Sequence, residues 1–291
     1  MKELFSLGEL YPSDFLKDGE LPRCDKVEMK LMMDDNVCVR LEKSAPKDAM
    51  WGKYWYRSGI NLTMKNHLYN VARSITDVFN VGDNNIWLDI ASNDGTLLSF
   101  VPERCTRIGI DPCDDSFKTE AEKHANVIIQ DYFSAEVYKK ETSQKASVVT
   151  CISMFYDLED PDTFLRDVYE ILDGNGLFVI QLSYTPLMLS QMAFDNICHE
   201  HFFYYSLFNI KVLLERNGFQ IMDCQLTDCN SGSFLIYIMK QDADTSKFGT
   251  QPYRDVCQFR VNSILEYEKT LKLDDAQTWM DFFNRINWLK A

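Results

Sequence analysis

The sequence of 291 residues predicts an α/β protein whose core is a doubly wound sheet of seven strands. Short apolar runs alternate with helical patterns through the middle of the chain, which is typical of strands joined by helical crossovers. The first of these runs, residues 86–90, ends in a small-residue turn that leads into a helix. Two further apolar runs, separated by a polar turn at 227–232, predict a final antiparallel hairpin.

In chain order, residues 1–75 are expected to form a helical and irregular N-terminal extension, whose last helix begins near Leu62 after a cap at Asn61 or Thr63. A domain from 76 to 245 then contains the predicted strands 86–90, 107–110, 127–130, 147–153, 176–182, 219–226 and 233–239. Asp160 as N-cap and Pro161 in the first turn predict a helix that ends before Gly174. Apolar spacing predicts further helices over 186–193 and 207–217, and a helical C-terminal segment over 246–291.

The charge and the cysteine content limit the function classes to be considered. Asp and Glu number 44 against 30 Lys and Arg, so the net charge is −14 and the surface repels nucleic-acid phosphates. No apolar stretch reaches the ~20 residues that span a bilayer, and the first residues lack the pattern of a signal peptide. We therefore predict a cytoplasmic protein that acts on neither membranes nor nucleic acids. Its 9 cysteines are scattered, many of them in apolar runs, which predicts reduced thiols. They include no CxxC pair, so their spacing does not support a metal site.

Polar or small residues follow four consecutive predicted strands, where an open α/β sheet binds its ligand. They are, strand by strand, Asp89 with the turn Ala91, Ser92, Asn93, Asp94 and Gly95; Asp111 with Pro112; Asp131 with Tyr132; and Ser153 with Met154. Small residues in the turn let the backbone approach a ligand closely. The carboxylates can accept hydrogen bonds from hydroxyl, amine or ammonium groups. Asp111 could instead cap a turn at Pro112, and Asp131 could cap a helix that begins near Ser134. A nucleotide site explains all four positions together.

A dinucleotide-binding oxidoreductase is the first alternative for such a site. It would carry a GxGxxG turn and a parallel sixth strand, whereas this chain has ASNDG at 91–95 and a hairpin. The sequence therefore favours a different nucleotide.

The loop 194–206, called the HEH loop below, carries a second group of candidate residues. His199 and His201 flank Glu200, and Tyr204 and Tyr205 follow closely. In an extended segment the two imidazoles would point to one side and Glu200 to the other. Two histidines at this spacing without a third ligand do not make a metal site, whereas an imidazole oriented by a neighbouring carboxylate suits general-base catalysis. A His–Glu pair on a surface loop, without a catalytic role, is the alternative.

Segments between about residues 50 and 240 resemble, in order, the family of sugar C-methyltransferases, which methylate a ring carbon of nucleotide-linked keto-deoxysugars. They are YWYRSGINLTMKNH, WLDIASNDGTLL, GIDP, FDNICHEHFFYYS and NSGSFLIYI. The second of them resembles motif I of the class I, Rossmann-like methyltransferases, with Ala91, Asn93 and Gly95 in place of three glycines. The resemblance implies S-adenosylmethionine as cofactor and a small-molecule acceptor, a sugar or a sugar nucleotide.

The resemblance also implies roles for individual residues. His201 would be the general base, with Glu200 and His199 beside it, and Tyr56 would lie near the reacting centre. Residues expected to contact the acceptor are Ser58, Tyr204 and Tyr205. The residues at the four strand ends would hold the cofactor. Because a positive sulfur is itself an activated leaving group, transfer needs no metal.

The chain also departs from the pattern of that family. Asp157 stands where the family has a histidine, Cys198 where it has a tyrosine, and NSGS where it has HGGS. The four-cysteine zinc module and a further α/β unit of the family are not expected within this chain. Two alternatives are therefore retained: an O- or N-methyltransferase for another small molecule, and a module that binds S-adenosylmethionine without catalysis. The C-terminal helices are expected to be able to form a homodimer.

Overall fold

The computed structural model describes residues 1–13, 16–34, 38–51 and 54–290, and these form two β-sheets with surrounding helices. The strands are β1 (Lys2–Leu10), β2 (Val27–Met33), β3 (Val39–Leu41), β4 (Ile86–Ile90), β5 (Thr106–Ile110), β6 (Val127–Ile129), β7 (Ala146–Ile152), β8 (Leu172–Ser183), β9 (Phe203–Tyr204), β10 (Phe219–Thr227) and β11 (Ser233–Lys240). The α-helices are α1 (Lys47–Trp51), α2 (Leu62–Val78), α3 (Asp115–Ala121), α4 (Ala135–Glu141), α5 (Pro161–Ile171), α6 (Thr185–Gln191), α7 (Leu207–Arg216), α8 (Gln251–Thr270) and α9 (Ala276–Lys290). Within these residues, no helix combines the length and the apolar character needed to cross a bilayer.

The larger sheet has seven strands in the order β10-β11-β8-β7-β4-β5-β6. Strands β4 to β8 are parallel, whereas β11 pairs antiparallel with β8, and β10 with β11. This confirms the predicted α/β fold with its final antiparallel hairpin. The chain runs outward from β4 to β6 and then returns to place β7 on the other side of β4. That reversal opens a crevice at the carboxyl end of β4, where such sheets bind ligands.

Both faces of the larger sheet are covered, which is why its central strands are mostly apolar and do not alternate with polar residues. All residues of β4 are buried. Leu88 and Ile90 belong to the apolar cluster on one face, and Trp87 to the cluster on the other. Strand periodicity alone could not show this, because a strand buried on both faces does not alternate.

Helix boundaries follow the capping residues that the sequence offers. Helix α5 begins at Pro161 after the N-cap Asp160, as predicted. Helix α2 is capped by Asn61, whose side chain accepts the amide hydrogen of Thr63. Helix α5 ends at Ile171, before Gly174 as predicted, and strand β8, which contains Gly174, follows directly.

The first 75 residues are more regular than predicted. Strands β1, β2 and β3 form a second sheet with β9, which belongs to the HEH loop. The β1–β2 pairing contains register shifts, so the strict alternation that reveals a strand in a sequence is broken. Leu31 and Leu41 are fully buried in a cluster with Trp279 and Phe282 of α9. The N-terminal extension is therefore structured, and through β9 it holds the HEH loop.

The C-terminal helices pack against the rest of this chain. On α9, Phe283 stacks on Phe5 of the second sheet, with ring centroids 4.5 Å apart. Helix α8 packs on β10, and its Glu268 carboxylate accepts the amide hydrogens of Leu207 and Phe208 at 2.7 and 2.9 Å. These contacts assign the two helices a role in folding, while a homodimer formed through them stays a prediction.

Candidate active site

A cavity of about 820 Å³ lies at the carboxyl end of the larger sheet. Its walls come from the ends of β4, β5 and β7, from the segment before α2 and from the HEH loop. The sequence-predicted residues that line it are Tyr56, Ser58, Asp89, Ala91, Ser92, Asn93, Asp111, Pro112, Tyr132, Ser153, Met154, Glu200 and His201. Those outside its lining are Asp94, Gly95, Asp131, His199, Tyr204 and Tyr205. The structure thus brings residues from the strand ends and from the HEH loop to one cavity.

The turn after β4 has the backbone conformation that its small residues allow. Ala91, Asn93 and Gly95 all have positive φ, at 57°, 52° and 75°. A Cβ at Gly95 would lie 2.8 Å from Cα of Ala121, so a side chain there would force the backbone apart. The amide of Ala91 donates to the carbonyl of Ile110 at 2.8 Å, which ties the turn to the end of β5. The turn therefore forms a fixed wall of the cavity.

Two carboxylates stand at the ends of β4 and β5. The Thr150 hydroxyl donates to Oδ1 of Asp89 at 2.7 Å, and burial raises the pKa of Asp89 to about 7. Asp111 accepts the amide hydrogens of Asn93 and Cys113 at 2.7 and 2.8 Å. A carboxylate has about four acceptor positions, so both side chains retain capacity for a ligand. Asp111 therefore closes the turn after β5 and also lines the cavity.

The residues at the ends of β6 and β7 differ in whether they line the cavity. Asp131 is exposed and accepts the amide hydrogen of Tyr132 at 2.7 Å, while the Tyr132 side chain lines the cavity. The N-cap of α4 is Ser134, so the alternative in which Asp131 caps this helix is wrong. Ser153 has a positive φ of 57°, and its amide donates to the carbonyl of Gln181 at 2.9 Å. The chain turns at this point, after the end of β7, and Ser153 lines the cavity.

Two side chains of the turn after β4 hold the segment that precedes α2. Oδ1 of Asn93 accepts the amide hydrogen of Ser58, and its Nδ2 donates to the carbonyl of Tyr56, both at 3.0 Å. Oδ2 of Asp94 accepts the amide hydrogen of Gly59 at 2.8 Å. We call this stretch, from Tyr56 to Gly59, the pinned segment. Asn93 and Asp94 therefore position the opposite wall of the cavity, a role that sequence reasoning did not assign to them.

The HEH loop is bent, so its residues do not alternate as predicted. The amide of His201 donates to the carbonyl of Cys198 at 3.2 Å, which closes a turn across Glu200. Glu200 and His201 consequently both line the cavity. His199 is only 2% exposed, and its Nε2 lies 3.1 Å from the carbonyl oxygen of Val27. The prediction that the two imidazoles share one side is wrong, because it assumed an extended segment.

His201 has the surroundings of a neutral imidazole. Its Nδ1 lies 2.8 Å from the carbonyl oxygen of Asn196, which can only accept, so Nδ1 carries the hydrogen and Nε2 the lone pair. The ring of Tyr156 packs edge-on against it, with ring centroids 4.2 Å apart. Burial lowers the pKa of His201 below its ordinary value of 6.5, although the Asn196 carbonyl and the charge of Glu200 oppose this shift. The ring is therefore in its basic form at neutral pH.

Tyr204 and Tyr205 are buried in the apolar clusters that support the HEH loop. Tyr204 pairs with Val39 in the second sheet. Tyr205 stacks on Phe203, with ring centroids 5.3 Å apart. In this structure both side chains pack the loop instead of facing the cavity.

Sequence reasoning missed some groups around the cavity. The carbonyl of Asn196 fixes the tautomer of His201, but every residue has a carbonyl, so no sequence signal could reveal it. Asn230 and Ser231, with positive φ of 50° and 61°, line the cavity from the turn between β10 and β11. The NSGS stretch of the resemblance is the signal that could have found them.

The model of a protein family described as a methyltransferase domain matches residues 64–223, which is more than half of the chain. The C-methyltransferase NovU of Streptomyces niveus is 25% identical over 220 residues. This alignment covers 73% of the chain and 52% of NovU, so the chain spans about half the length of the curated relative it matches.

Two solved structures show a more distant similarity. Magnesium protoporphyrin IX methyltransferase of Synechocystis PCC 6803 has 12% identity over 62% of this chain and 89% of that chain, with a TM-score of 0.48. The N-methyltransferase NodS of Bradyrhizobium japonicum WM9 has 13% identity over 61% of this chain and 94% of its own, with a TM-score of 0.43. At these identities, neither similarity bears on the substrate of this chain.

Proposed function

Since this chain belongs to the methyltransferase domain family, whose methyl donor is S-adenosylmethionine, we propose that it is a C-methyltransferase. Its acceptor is a nucleotide-linked keto-deoxysugar, and its general base is His201. The observation that carries this proposal is the contact of Nδ1 with the Asn196 carbonyl, which leaves Nε2 basic in a ring that lines the cavity. The similarity to NovU, a C-methyltransferase, supports carbon as the acceptor atom.

The residues at the strand ends fit the groups of S-adenosylmethionine. The turn after β4 offers backbone at close approach, and two carboxylates line the same wall. Asp89 would accept a hydrogen bond from the ammonium group, and Asp111 would accept hydrogen bonds from the ribose hydroxyls. Asp131, next to the lining residue Tyr132, would accept one from the adenine amine. The cofactor supplies a methyl group on a positive sulfur, which is already an activated leaving group. The side chains of this protein then have to bind both molecules, orient them and remove a proton.

The affinity for S-adenosylhomocysteine is expected to depend on pH through Asp89. The pKa of this carboxyl is raised to about 7, and only its ionised form attracts an ammonium group. The attraction is therefore present above this pKa and lost as the pH falls through it. Calorimetry should give a dissociation constant roughly tenfold weaker near pH 6 than near pH 8, because ionisation of the carboxyl falls about tenfold over that range.

The variant Asp89→Asn should bind weakly, with the same affinity at both pH values. The variant Asp115→Asn, in an exposed position on α3, should keep the pH dependence. A wild-type dissociation constant that does not change between the two pH values would contradict the role of Asp89.

The acceptor side of the cavity offers a base and a hydrogen-bond donor. A hydrogen on the carbon next to a ketone is acidic enough for a positioned imidazole to remove. Nε2 of His201 would take this proton while the Asn196 carbonyl holds Nδ1–H. The hydroxyl of Tyr56 lines the same cavity, and burial raises its pKa, so it stays protonated and can donate to the developing oxyanion.

The product of the reaction tests the proposal directly. The protein is incubated with methyl-labelled S-adenosylmethionine and thymidine diphosphate-linked keto-deoxyglucose, and the product is examined by NMR. We expect the labelled carbon to be bonded to a ring carbon that has lost its hydrogen. A label on oxygen or nitrogen would instead identify an O- or N-methyltransferase. Calorimetric binding of the cofactor without any methylated product would favour a non-catalytic binding module.

A further inference from the structure

We propose that Asp157 is a further catalytic residue, the acid that protonates the carbonyl oxygen of the acceptor while His201 removes the proton from the neighbouring carbon. This inference rests on the proposed function, because it assigns a second proton to the same reaction. It concerns a residue that sequence reasoning noted only as a departure from the family pattern.

Asp157 lines the cavity near the HEH loop, where the proposed function places the acceptor. It ends the 3-10 turn Phe155–Asp157, which follows β7 directly, and it lines the cavity together with Glu200 and His201. Tyr156, the residue before it, packs edge-on against the ring of His201. The base and the carboxyl therefore line the same part of the cavity, through Tyr156, which contacts one and precedes the other in the chain.

One oxygen of this carboxyl lacks a hydrogen-bond partner among the described residues. Oδ1 of Asp157 is buried and has no hydrogen-bond partner within the part of the chain that the structure describes. A buried polar atom without a partner costs free energy, and a ligand that supplies the missing hydrogen bond removes this cost. The carbonyl oxygen of an acceptor is a group that a protonated carboxyl can satisfy.

The surroundings of Asp157 favour the protonated form of its carboxyl. Burial raises the pKa of this carboxyl well above its usual range, and the charge of Glu200 raises it further. Both effects favour the protonated carboxyl, the form that can donate a proton to the acceptor. The negative charge of Glu200 therefore acts on both groups: it stabilises the neutral form of Asp157, and it partly offsets the lowering of the His201 pKa by burial.

The proton transfers balance without any further reactant. Nε2 of His201 takes the hydrogen of the carbon next to the ketone, and the electrons of that C–H bond form a carbon–carbon double bond. The π electrons of the carbonyl move to oxygen, which takes the proton of Asp157 and gives an enol, an imidazolium and a carboxylate. When the carbon is methylated, the carbonyl forms again and the enol proton returns to Asp157. The proton on His201 leaves to solvent.

The exchange of the acceptor hydrogen in deuterium oxide isolates these steps from methyl transfer. The probe is thymidine diphosphate-linked keto-deoxyglucose, incubated with the full chain and S-adenosylhomocysteine, and NMR follows the loss of the hydrogen next to the ketone. Asp157→Asn should slow this exchange by about 100-fold or more, the range of general acid catalysis. Its affinity for S-adenosylhomocysteine should stay within about twofold of wild type, which a merely structural role would not predict. Asp173→Asn, in an exposed position on β8, is the matched control and should exchange at the wild-type rate.

A second variant keeps the test decisive if Asp157→Asn does not fold. Asp157→His retains a group that can donate a proton, so its exchange rate should stay within about tenfold of wild type. Exchange in Asp157→Asn within about threefold of wild type would overturn the role of Asp157. Absence of exchange in the wild type would instead overturn the proposed function and this inference with it.

Discussion

His201→Ala is expected to lower the rate of methyl transfer by about 100-fold to 10,000-fold, the contribution of a positioned general base. The variant removes the only group that the proposal asks to take the acceptor proton. It leaves the turn after β4 and its carboxylates untouched, so calorimetry with S-adenosylhomocysteine should give a dissociation constant within about twofold of wild type. Methyl transfer is measured with labelled cofactor and the same keto-deoxysugar.

The pH profile of the wild type provides an independent check on this base. Burial lowers the pKa of His201 below 6.5, so turnover at saturating cofactor should be constant around neutral pH. It should fall as the pH drops through that lowered pKa and the ring gains its proton. His124→Ala, in a partly exposed position after α3, should keep full turnover. If His201→Ala turned over at the wild-type rate, the proposed mechanism would be wrong.

Gly95→Ala is expected to lower the free energy of unfolding by about 3 kcal/mol, the combined cost of a strained backbone and an overpacked contact. Gly95 has a φ of 75°, and the added Cβ would lie 2.8 Å from Cα of Ala121, which is backbone and cannot turn aside. The strain falls on the turn that forms the cofactor wall. We therefore expect the dissociation constant for S-adenosylhomocysteine to rise by about tenfold or more, in parallel with the loss of stability. Urea unfolding and calorimetry measure the two effects.

Gly174→Ala is the matched control for this variant. A Cβ at Gly174 meets no atom within 4 Å, so stability and affinity should both stay near the wild-type values. If Gly95→Ala unfolded at the same urea concentration as Gly174→Ala, the close approach of the turn to α3 would not be under strain.

The larger sheet could be predicted because its strands are short apolar runs that end in small or acidic residues. Those signals are local, because each apolar run and the residues that end it are adjacent in the sequence. The cap at Asp160 is equally local, since the residue that it caps is three positions away. Predictions of this kind depend on neighbours within one turn or one strand.

The HEH loop could not be predicted in the same way, because distant contacts determine its shape. His199 is turned away from the cavity toward the carbonyl of Val27, a residue 172 positions away. Tyr204 is drawn into the second sheet by Val39. That second sheet was itself missed, since the bulges between β1 and β2 interrupt the alternation of apolar residues. Sequence patterns placed His201 and Glu200 in one loop, but only the packed chain shows which of the loop residues line the cavity.

The pinned segment has a consequence for anyone who re-engineers this enzyme. Asn93 and Asp94 are held to residues 56–59 by three hydrogen bonds, so two stretches of sequence far apart behave as a single module. Grafting a GxGxxG turn into positions 91–96 would replace Asn93 by glycine and remove the side chain that holds Ser58 and Tyr56, so the opposite wall of the cavity would lose two of its three hydrogen bonds. A loop exchange meant to alter acceptor choice therefore has to replace the turn after β4 and the pinned segment together.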